Sequence, residues 1–146
     1  MSLPQFNDLG ELPPGVHQAT LAEVAGRFSG QTPRRDLCTQ RLMHVVDLAR
    51  RTGQLQRLVV FGSYITAKPE PNDVDLILVM TDSFRLEECL PESRGLFDHP
   101  VAQARYCASI FWIRPSLLIA DTLEEFIAFW QVKRNGEKRG IIEITL

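Results

Sequence analysis

The sequence predicts an α/β (α+β) domain in which a mixed β-sheet packs against helices. Residues 58–61 and 74–80 are apolar runs with the length and β-branched content of buried strands. Residues 107–113 and 141–146 have the same character. Segments with helical periodicity and capping residues lie before, between and after these runs. The expected order is therefore helix, helix, strand, strand, helix, strand, helix, strand, forming one layered domain.

Capping signals define the predicted helices. Residues 20–28 open with a Thr-Leu-Ala-Glu capping box, and Thr-Pro starts a longer helix over 32–52. A short helix is expected near 100–105. A second capping box opens a last helix over 122–134, which should end at an Asn-Gly pair. One face of this helix is apolar and is predicted to be core rather than a base-stacking surface: Leu123, Phe126, Ile127 and Trp130.

Composition is that of a small single domain. The chain has 146 residues, 45% of them hydrophobic, and a net charge of −2, which suffices for one core without disulfides. We predict an N-terminal arm over residues 1–19, poorly anchored over 1–14, and one domain over 20–146. No apolar run approaches the roughly 18 residues of a membrane span and no signal peptide is evident, so a cytoplasmic location away from membranes is expected. Cys38, Cys89 and Cys107 lack metal-ligand spacing and are predicted to be buried thiols.

Charge is distributed unevenly along the chain. Residues 27–68 contain eight basic side chains against two acidic ones. This basic segment leads into the most informative motif and could steer an anion towards it. The arginines at 34, 35, 50 and 51 are nevertheless scattered around the predicted helix, a distribution typical of solvated faces.

The most informative motif pairs a Gly-Ser turn with two aspartates. Gly62-Ser63 follows the first buried strand, and Asp73-Val74-Asp75 opens the second. Because strand side chains alternate, Asp73 and Asp75 should point to the same face with Cα atoms roughly 6.5–7 Å apart. Two carboxylates on one face can share divalent cations. The glycine permits close approach of a phosphate, and the serine adds a hydroxyl and an N–H group.

Asp75 requires a compensating partner. It interrupts an apolar run of the kind found in central strands, where an unpaired carboxylate costs several kcal/mol. A bound metal is one solution, and a structural arginine is the other; both remain open at this point. Asp73 taken alone would mean little, because turn-forming Pro and Asn residues precede it.

These residues resemble the signature of the minimal DNA polymerase-beta-like nucleotidyltransferases. That signature is an apolar residue, Gly-Ser, a spacer of about ten residues and Asp-x-Asp in an apolar strand; here nine residues separate Phe61-Gly62-Ser63 from Asp73-Val74-Asp75. Residues 12–17, 134–136 and 140–144 resemble a small prokaryotic branch of the superfamily. This branch is related to the nucleotidyltransferases of toxin–antitoxin and phage-defence operons.

The resemblance implies a site and an activity. Asp73 and Asp75 would hold Mg²⁺ (or Mn²⁺) and, with Ser63, support catalysis. Gly62, Ser63 and Lys68 would bind the phosphates of an NTP, although Lys68 also has the character of a solvated surface residue. The implied reaction transfers a nucleoside monophosphate to a hydroxyl on a protein or RNA acceptor, and a partner protein encoded in the same operon is implied as well.

The sequence departs from the family at the third carboxylate. The matching apolar stretch, residues 106–113, contains no acid, and Ser109 stands where one is expected. Asp121 follows another apolar run and is an alternative third ligand, but it also fits the start of a helix. A catalytically reduced nucleotide-binding antitoxin or regulatory module therefore stands beside the enzyme as an alternative function, and a structural module with an ion-paired Asp75 is the third.

Overall fold

The computed structural model describes residues 3–146 and confirms the predicted α+β class. Five strands form one mixed sheet: β1 (Val16–Thr20), β2 (Leu55–Phe61), β3 (Val74–Met80), β4 (Ala108–Ile113) and β5 (Ile141–Thr145). Five helices accompany them: α1 (Leu21–Phe28), α2 (Pro33–Arg51), α3 (Pro91–Arg94), α4 (His99–Tyr106) and α5 (Leu123–Phe129). The predicted strands and the starts of the main helices are therefore found, with small shifts at their ends.

The strand order in the sheet is β1-β5-β2-β3-β4. The two outer pairs, β1 with β5 and β3 with β4, are parallel. The two inner pairings, β2 with β3 and β2 with β5, are antiparallel. This order brings the end of β2 and the starts of β3 and β4 to one edge of the sheet.

The two faces of the sheet are covered unequally. One face packs against the 19-residue helix α2 and its neighbours and contains the larger core cluster. The opposite face carries Val59, Ile77 and Val79, which pack against Ile127 of α5. Helix α5 has only seven residues and is about 10 Å long, whereas a seven-residue strand extends about 23 Å. Part of the second face therefore remains uncovered.

The end of α5 differs from the prediction. Both capping boxes form as expected, at Thr20 with Glu23 and at Thr122 with Glu125. The helix, however, stops at Phe129, well before the Asn-Gly pair that was expected to end it. Residues 130–140 instead fold back on themselves through an isolated bridge between Val132 and Lys138. The Asn-Gly pair belongs to this turn, where its glycine has a φ of +86°.

The prediction of a poorly anchored N-terminal arm is wrong over the described residues. Leu12 is fully buried, and its carbonyl accepts a 2.9 Å hydrogen bond from the Gly140 N–H. The Gly10 carbonyl accepts another from Ala67, at 2.8 Å. Strand β1 also falls inside the predicted arm, because its short, half-polar sequence gives no strand signal without its partner β5. Met1 and Ser2 lie outside the described residues.

Two further sequence predictions concern the cysteines and the membrane. Cys38 and Cys89 are buried, but Cys107 is exposed, contrary to prediction. It lies in the turn between α4 and β4, in a left-handed conformation with a φ of +47°. Over residues 3–146, none of the helices combines the length and the hydropathy that crossing a bilayer requires.

Candidate functional site

A cleft of about 770 Å³ opens at the uncovered part of the sheet, where β2 ends and β3 and β4 begin. Its volume is in the range of small-molecule sites. Several predicted site residues line it: Gly62, Ser63, Lys68, Asp75 and Ser109. Other lining side chains were not predicted to be functional, and they are aromatic, polar or cationic: Phe61, His99, Gln103, Phe111, Phe129, Trp130, Lys133, Arg134 and Arg139.

Asp75 stands at the centre of this edge. Its Cα atom pairs with Phe61 on β2 and with Ser109 on β4, so its side chain shares a face with both neighbours. On β3 this is the face of Ile77 and Val79, which lie farther along the strand beneath α5. The helix covers these two apolar residues and leaves the carboxylate at the open end.

Gly62 is required by the position of Asp75. Its φ is +83°, which side chains with a Cβ atom rarely adopt. A Cβ atom at this position would also lie 2.8 Å from the Asp75 Cγ atom and closer still to Oδ2. The glycine therefore lets the backbone of the turn approach the carboxylate directly.

The Asp75 carboxylate has no hydrogen-bonding or ion-pairing partner within residues 3–146. Burial, and to a lesser extent the nearby Asp73, raises its pKa to about 6, against smaller opposite effects of Arg139 and His99. Among the described residues, no hydrogen bond or ion pair reaches it. The arginine partner considered as an alternative is therefore missing from residues 3–146.

Ser109 connects the second aspartate to this group. Its hydroxyl donates a 3.1 Å hydrogen bond to Asp73 Oδ2 and accepts one of 3.1 Å from the Gln103 amide. Ser109 thus lies beside both carboxylates, at the position where the resemblance to the nucleotidyltransferases implies a third carboxylate. Gln103 was missed because it is one of several polar residues on α4, and only the turn of that helix onto β4 brings it to the site.

Asp121 is not part of the site. It is exposed, does not line the cleft and directly precedes Thr122, the residue that caps α5. It therefore belongs to the start of the helix, the other role considered for it. Within residues 3–146, no three or more His, Cys, Asp and Glu side chains are grouped as metal ligands. Any cation here would depend on the two aspartates, with a serine beside them.

Residues 62–71 of the connection between β2 and β3, the 62–71 loop, are held to α2 through their carbonyl groups. Arg35 is only 3% exposed, and its guanidinium donates to Tyr64 O at 2.7 Å, to Lys68 O at 2.6 Å and to Thr66 O. Thr32 donates to Pro69 O of the same loop. The interpretation of Arg35 as a solvated residue is therefore wrong. Side-chain periodicity could not reveal this role, because a loop that folds over the helix covers Arg35.

The opposite wall of the cleft is cationic. Lys133, Arg134 and Arg139 line it from the cationic segment, residues 131–139. Glu11 of the N-terminal arm is buried beneath this segment, 2.8 Å from Lys133 Nζ and 3.4 Å from Arg139 Nη1. The wall was missed from the sequence because the expected continuation of α5 would have spread these charges around a helix.

The arrangement is suited to a ligand with several negative charges. Two adjacent carboxylates without cationic partners attract a divalent cation. Four lysine and arginine side chains around the same opening attract an anion: Lys68, Lys133, Arg134 and Arg139. A metal complex of a polyphosphate satisfies both requirements at once.

Comparison with known proteins defines the family but not the activity. No curated protein and no solved structure matches the chain. One family model matches residues 4–145, nearly the whole chain and all of the cleft. The chain therefore belongs to this family, described as a family of unknown function, DUF6932.

Proposed function

We propose that the cleft binds an NTP together with Mg²⁺ (or Mn²⁺) and transfers its nucleoside monophosphate to a hydroxyl on a protein or RNA acceptor. The observation that carries this proposal is the unpartnered Asp75 carboxylate. Elsewhere the protein compensates its buried or half-buried acids: Glu143 lies 2.7 Å from Arg57, and Glu11 contacts two cations. In the part of the chain that the structure describes, Asp75 lacks such a partner, and it lines an open cleft near Asp73.

The residues that line the cleft, together with Asp73 behind Ser109, would have complementary roles in nucleotidyl transfer. Asp73 and Asp75 would hold the cation, which when bound supplies charge neutralisation and activation of the attacking oxygen. Gly62 and Ser63 offer a close approach for the phosphates, with Lys68 at the rim. The cationic segment would neutralise the outer phosphates.

Nucleotidyl transfer requires no cofactor other than the cation. The acceptor oxygen forms a bond to the α-phosphorus, and the bond from this phosphorus to the oxygen that bridges to the β-phosphorus breaks. Pyrophosphate leaves, and the hydroxyl proton passes to solvent. We place this activity in the cytoplasm, where NTPs and Mg²⁺ are available. A partner encoded in the same operon would be one candidate for the protein acceptor.

Binding is tested by thermal unfolding of the protein in EDTA, in MgCl₂ and in MgCl₂ with ATP. A ligand that binds the folded state raises the melting temperature. We expect stepwise increases for the wild type and loss of both in Asp75→Asn and Asp73→Asn. Asp121→Asn is the matched control and should behave as the wild type. A response to Mg²⁺–ATP that survives both substitutions in the cleft would contradict the proposal.

Transfer is tested with α-³²P-labelled NTPs and the protein itself or RNA as acceptor. Because Ser109 is neutral, we expect slow transfer by the wild type and faster transfer by Ser109→Asp. The added acid should also lower stability in EDTA, since it would replace a hydrogen bond to Asp73 by repulsion. Transfer that survives Ser109→Ala and is lost in Asp121→Ala would show that the third ligand was placed wrongly. Transfer lost only on replacing Asp73 or Asp75 would show that two carboxylates suffice.

The absence of a third carboxylate also favours a second candidate. A protein that binds Mg²⁺–NTP without transferring it could act through a partner, as an antitoxin or regulator does. This candidate predicts the same melting response and no incorporated label, even with Ser109→Asp. The two experiments together therefore distinguish an enzyme from a nucleotide-binding module.

A further inference from the structure

The exposed aromatic side chains of this protein are concentrated at one place. Within residues 3–146 only two of the Phe, Tyr and Trp side chains are exposed: Phe111, with 41% of its surface accessible, and Phe129, with 68%. Phe111 comes from β4 and Phe129 is the last residue of α5. Both line the cleft. Exposed apolar side chains that gather at one opening mark a binding surface.

The ring of Phe111 is supported by other rings. Its centroid lies 5.0 Å from that of Trp130, 5.4 Å from His99 and 6.3 Å from Phe61. Trp130 and Phe61 are themselves 4.8 Å apart, and both are partly buried against the core cluster beneath α5. The neighbouring rings therefore hold the Phe111 ring in place, as a stacking surface requires.

Cationic and polar side chains lie next to the aromatic patch formed by Phe111 and Phe129. Lys133 and Arg134 follow Phe129 closely along the chain, and on β4 Ser109 lies two residues before Phe111 on the same face. A ligand that fills the cleft must then combine several negative charges with a flat apolar group. A nucleotide has both, and its phosphates complement the cationic segment while its base covers the rings.

We propose that Phe111 and Phe129 form the nucleobase subsite of the cleft, and that purine NTPs bind more tightly than pyrimidine NTPs. This inference rests on the proposed nucleotide site. Stacking on aromatic side chains accepts every base and increases with the area of the base. One N–H of the Gln103 amide donates to Ser109, and stacking alone does not read the hydrogen-bonding edge of a base. Adenine and guanine should therefore be distinguished weakly.

Calorimetric titration in MgCl₂ with ATP, UTP and inorganic tripolyphosphate separates the base from the phosphates. In the wild type we expect ATP to bind more tightly than UTP. Phe129→Ala should weaken ATP binding roughly 5- to 30-fold and change tripolyphosphate binding less than about twofold. Phe129→Trp should restore ATP binding, because it returns an aromatic ring. Ile119→Ala, at a fully exposed residue outside the cleft, is the control.

Each other outcome overturns the inference in a recognisable way. Equal affinities for ATP and tripolyphosphate, unchanged by Phe129→Ala, would leave the nucleotide site standing and remove the base subsite. Restoration of ATP binding by Phe129→Leu as fully as by Phe129→Trp would replace stacking by simple apolar contact. Failure of every ligand to bind in MgCl₂ would overturn the proposed function and this inference with it. Because Phe129 is largely exposed, its variants should keep the melting temperature of the wild type.

Discussion

The two walls of the cleft are built in different ways. The carboxylate wall consists of core strands and the 62–71 loop, whose carbonyl groups are tied to the buried guanidinium of Arg35. The cationic wall is a turn outside the sheet, and ion pairs with Glu11 hold it to the arm. Ligands of a metal must be placed within fractions of an ångström, whereas a charge attracts a polyphosphate over several ångströms. The carboxylate wall is therefore suited to fixing the positions of ligand atoms. The cationic wall is suited to attracting an anion electrostatically.

Arg35→Met, in the carboxylate wall, should lower the stability of the protein more than any of the substitutions that follow. It removes the donors to several buried carbonyl groups, so we expect a loss of about 3–5 kcal/mol in the free energy of unfolding. Urea unfolding at pH 7 measures it. Arg34→Met, at the exposed neighbouring residue, should change stability by less than about 0.5 kcal/mol. Equal effects of the two substitutions would mean that the loop does not depend on Arg35.

Gly62→Ala tests the close approach of the loop to Asp75. We expect a loss of about 2–4 kcal/mol, because the added Cβ atom combines an unfavourable φ with overlap on the carboxylate. Gly53→Ala is the matched control: it also has a positive φ, +67°, but no atom lies within 4 Å of the added Cβ. It should cost about 1 kcal/mol. If Gly62→Ala costs no more than this control, the contact with Asp75 contributes nothing.

The raised pKa of Asp75 makes the stability of the protein pH-dependent. Its pKa is about 6 in the folded state against an ordinary value of 3.8, so the folded state binds more protons between these values. Stability in EDTA should therefore fall as the pH rises from about 4 to about 6, by roughly 2–3 kcal/mol.

Replacement of Asp75 isolates this contribution. Asp75→Asn should remove this loss of stability with rising pH, so the variant should be more stable than the wild type at pH 7. The same substitution should abolish stabilisation by Mg²⁺. Urea unfolding at several pH values, with and without Mg²⁺, measures both effects. An Asp75→Asn protein that is clearly less stable than the wild type in EDTA at pH 7 would instead indicate a structural partner for the carboxylate.

Glu11→Gln addresses the cationic wall and should have the smallest effect. Losing the ion pairs with Lys133 and Arg139 should cost about 1–2 kcal/mol. Salt screens partly exposed charges, so this loss should shrink in 0.5 M NaCl, while that of Arg35→Met should not. Glu137→Gln, at an exposed residue of the same segment, is the control. A loss for Glu11→Gln that salt leaves unchanged would remove the distinction between the walls.

Local signals predicted most of the fold and a third of the residues that line the cleft. The capping boxes, the Pro at the start of α2 and the apolar run of β3 are encoded within a few neighbouring residues. The proximity of Gly62 to Asp75 was expected from the motif and strand alternation, whereas that of Ser109 was expected only from the family resemblance and is found in the pairing of β3 with β4. These features depend on short segments, and the sequence displays them directly.

The remaining features depend on contacts between distant segments. The burial of Arg35 requires the 62–71 loop, and the anchoring of Leu12 requires Gly140. The cationic wall exists because the chain leaves the helix at Phe129 instead of continuing. No local pattern distinguishes these residues from ordinary surface or helical positions. Their roles become visible only when the segments are placed together.

The position of β5 between β1 and β2 determines when the sheet can finish folding during synthesis. Until residues 141–145 leave the ribosome, β1 has no partner and β2 has one free edge. The contact of Glu11 with Arg139 likewise spans 128 residues of the chain. The carboxylates can approach Gly62 much earlier, since β2 and β3 are close in sequence. A nascent chain would thus form the carboxylate wall before the cationic wall, and the cleft would be complete only with the insertion of β5.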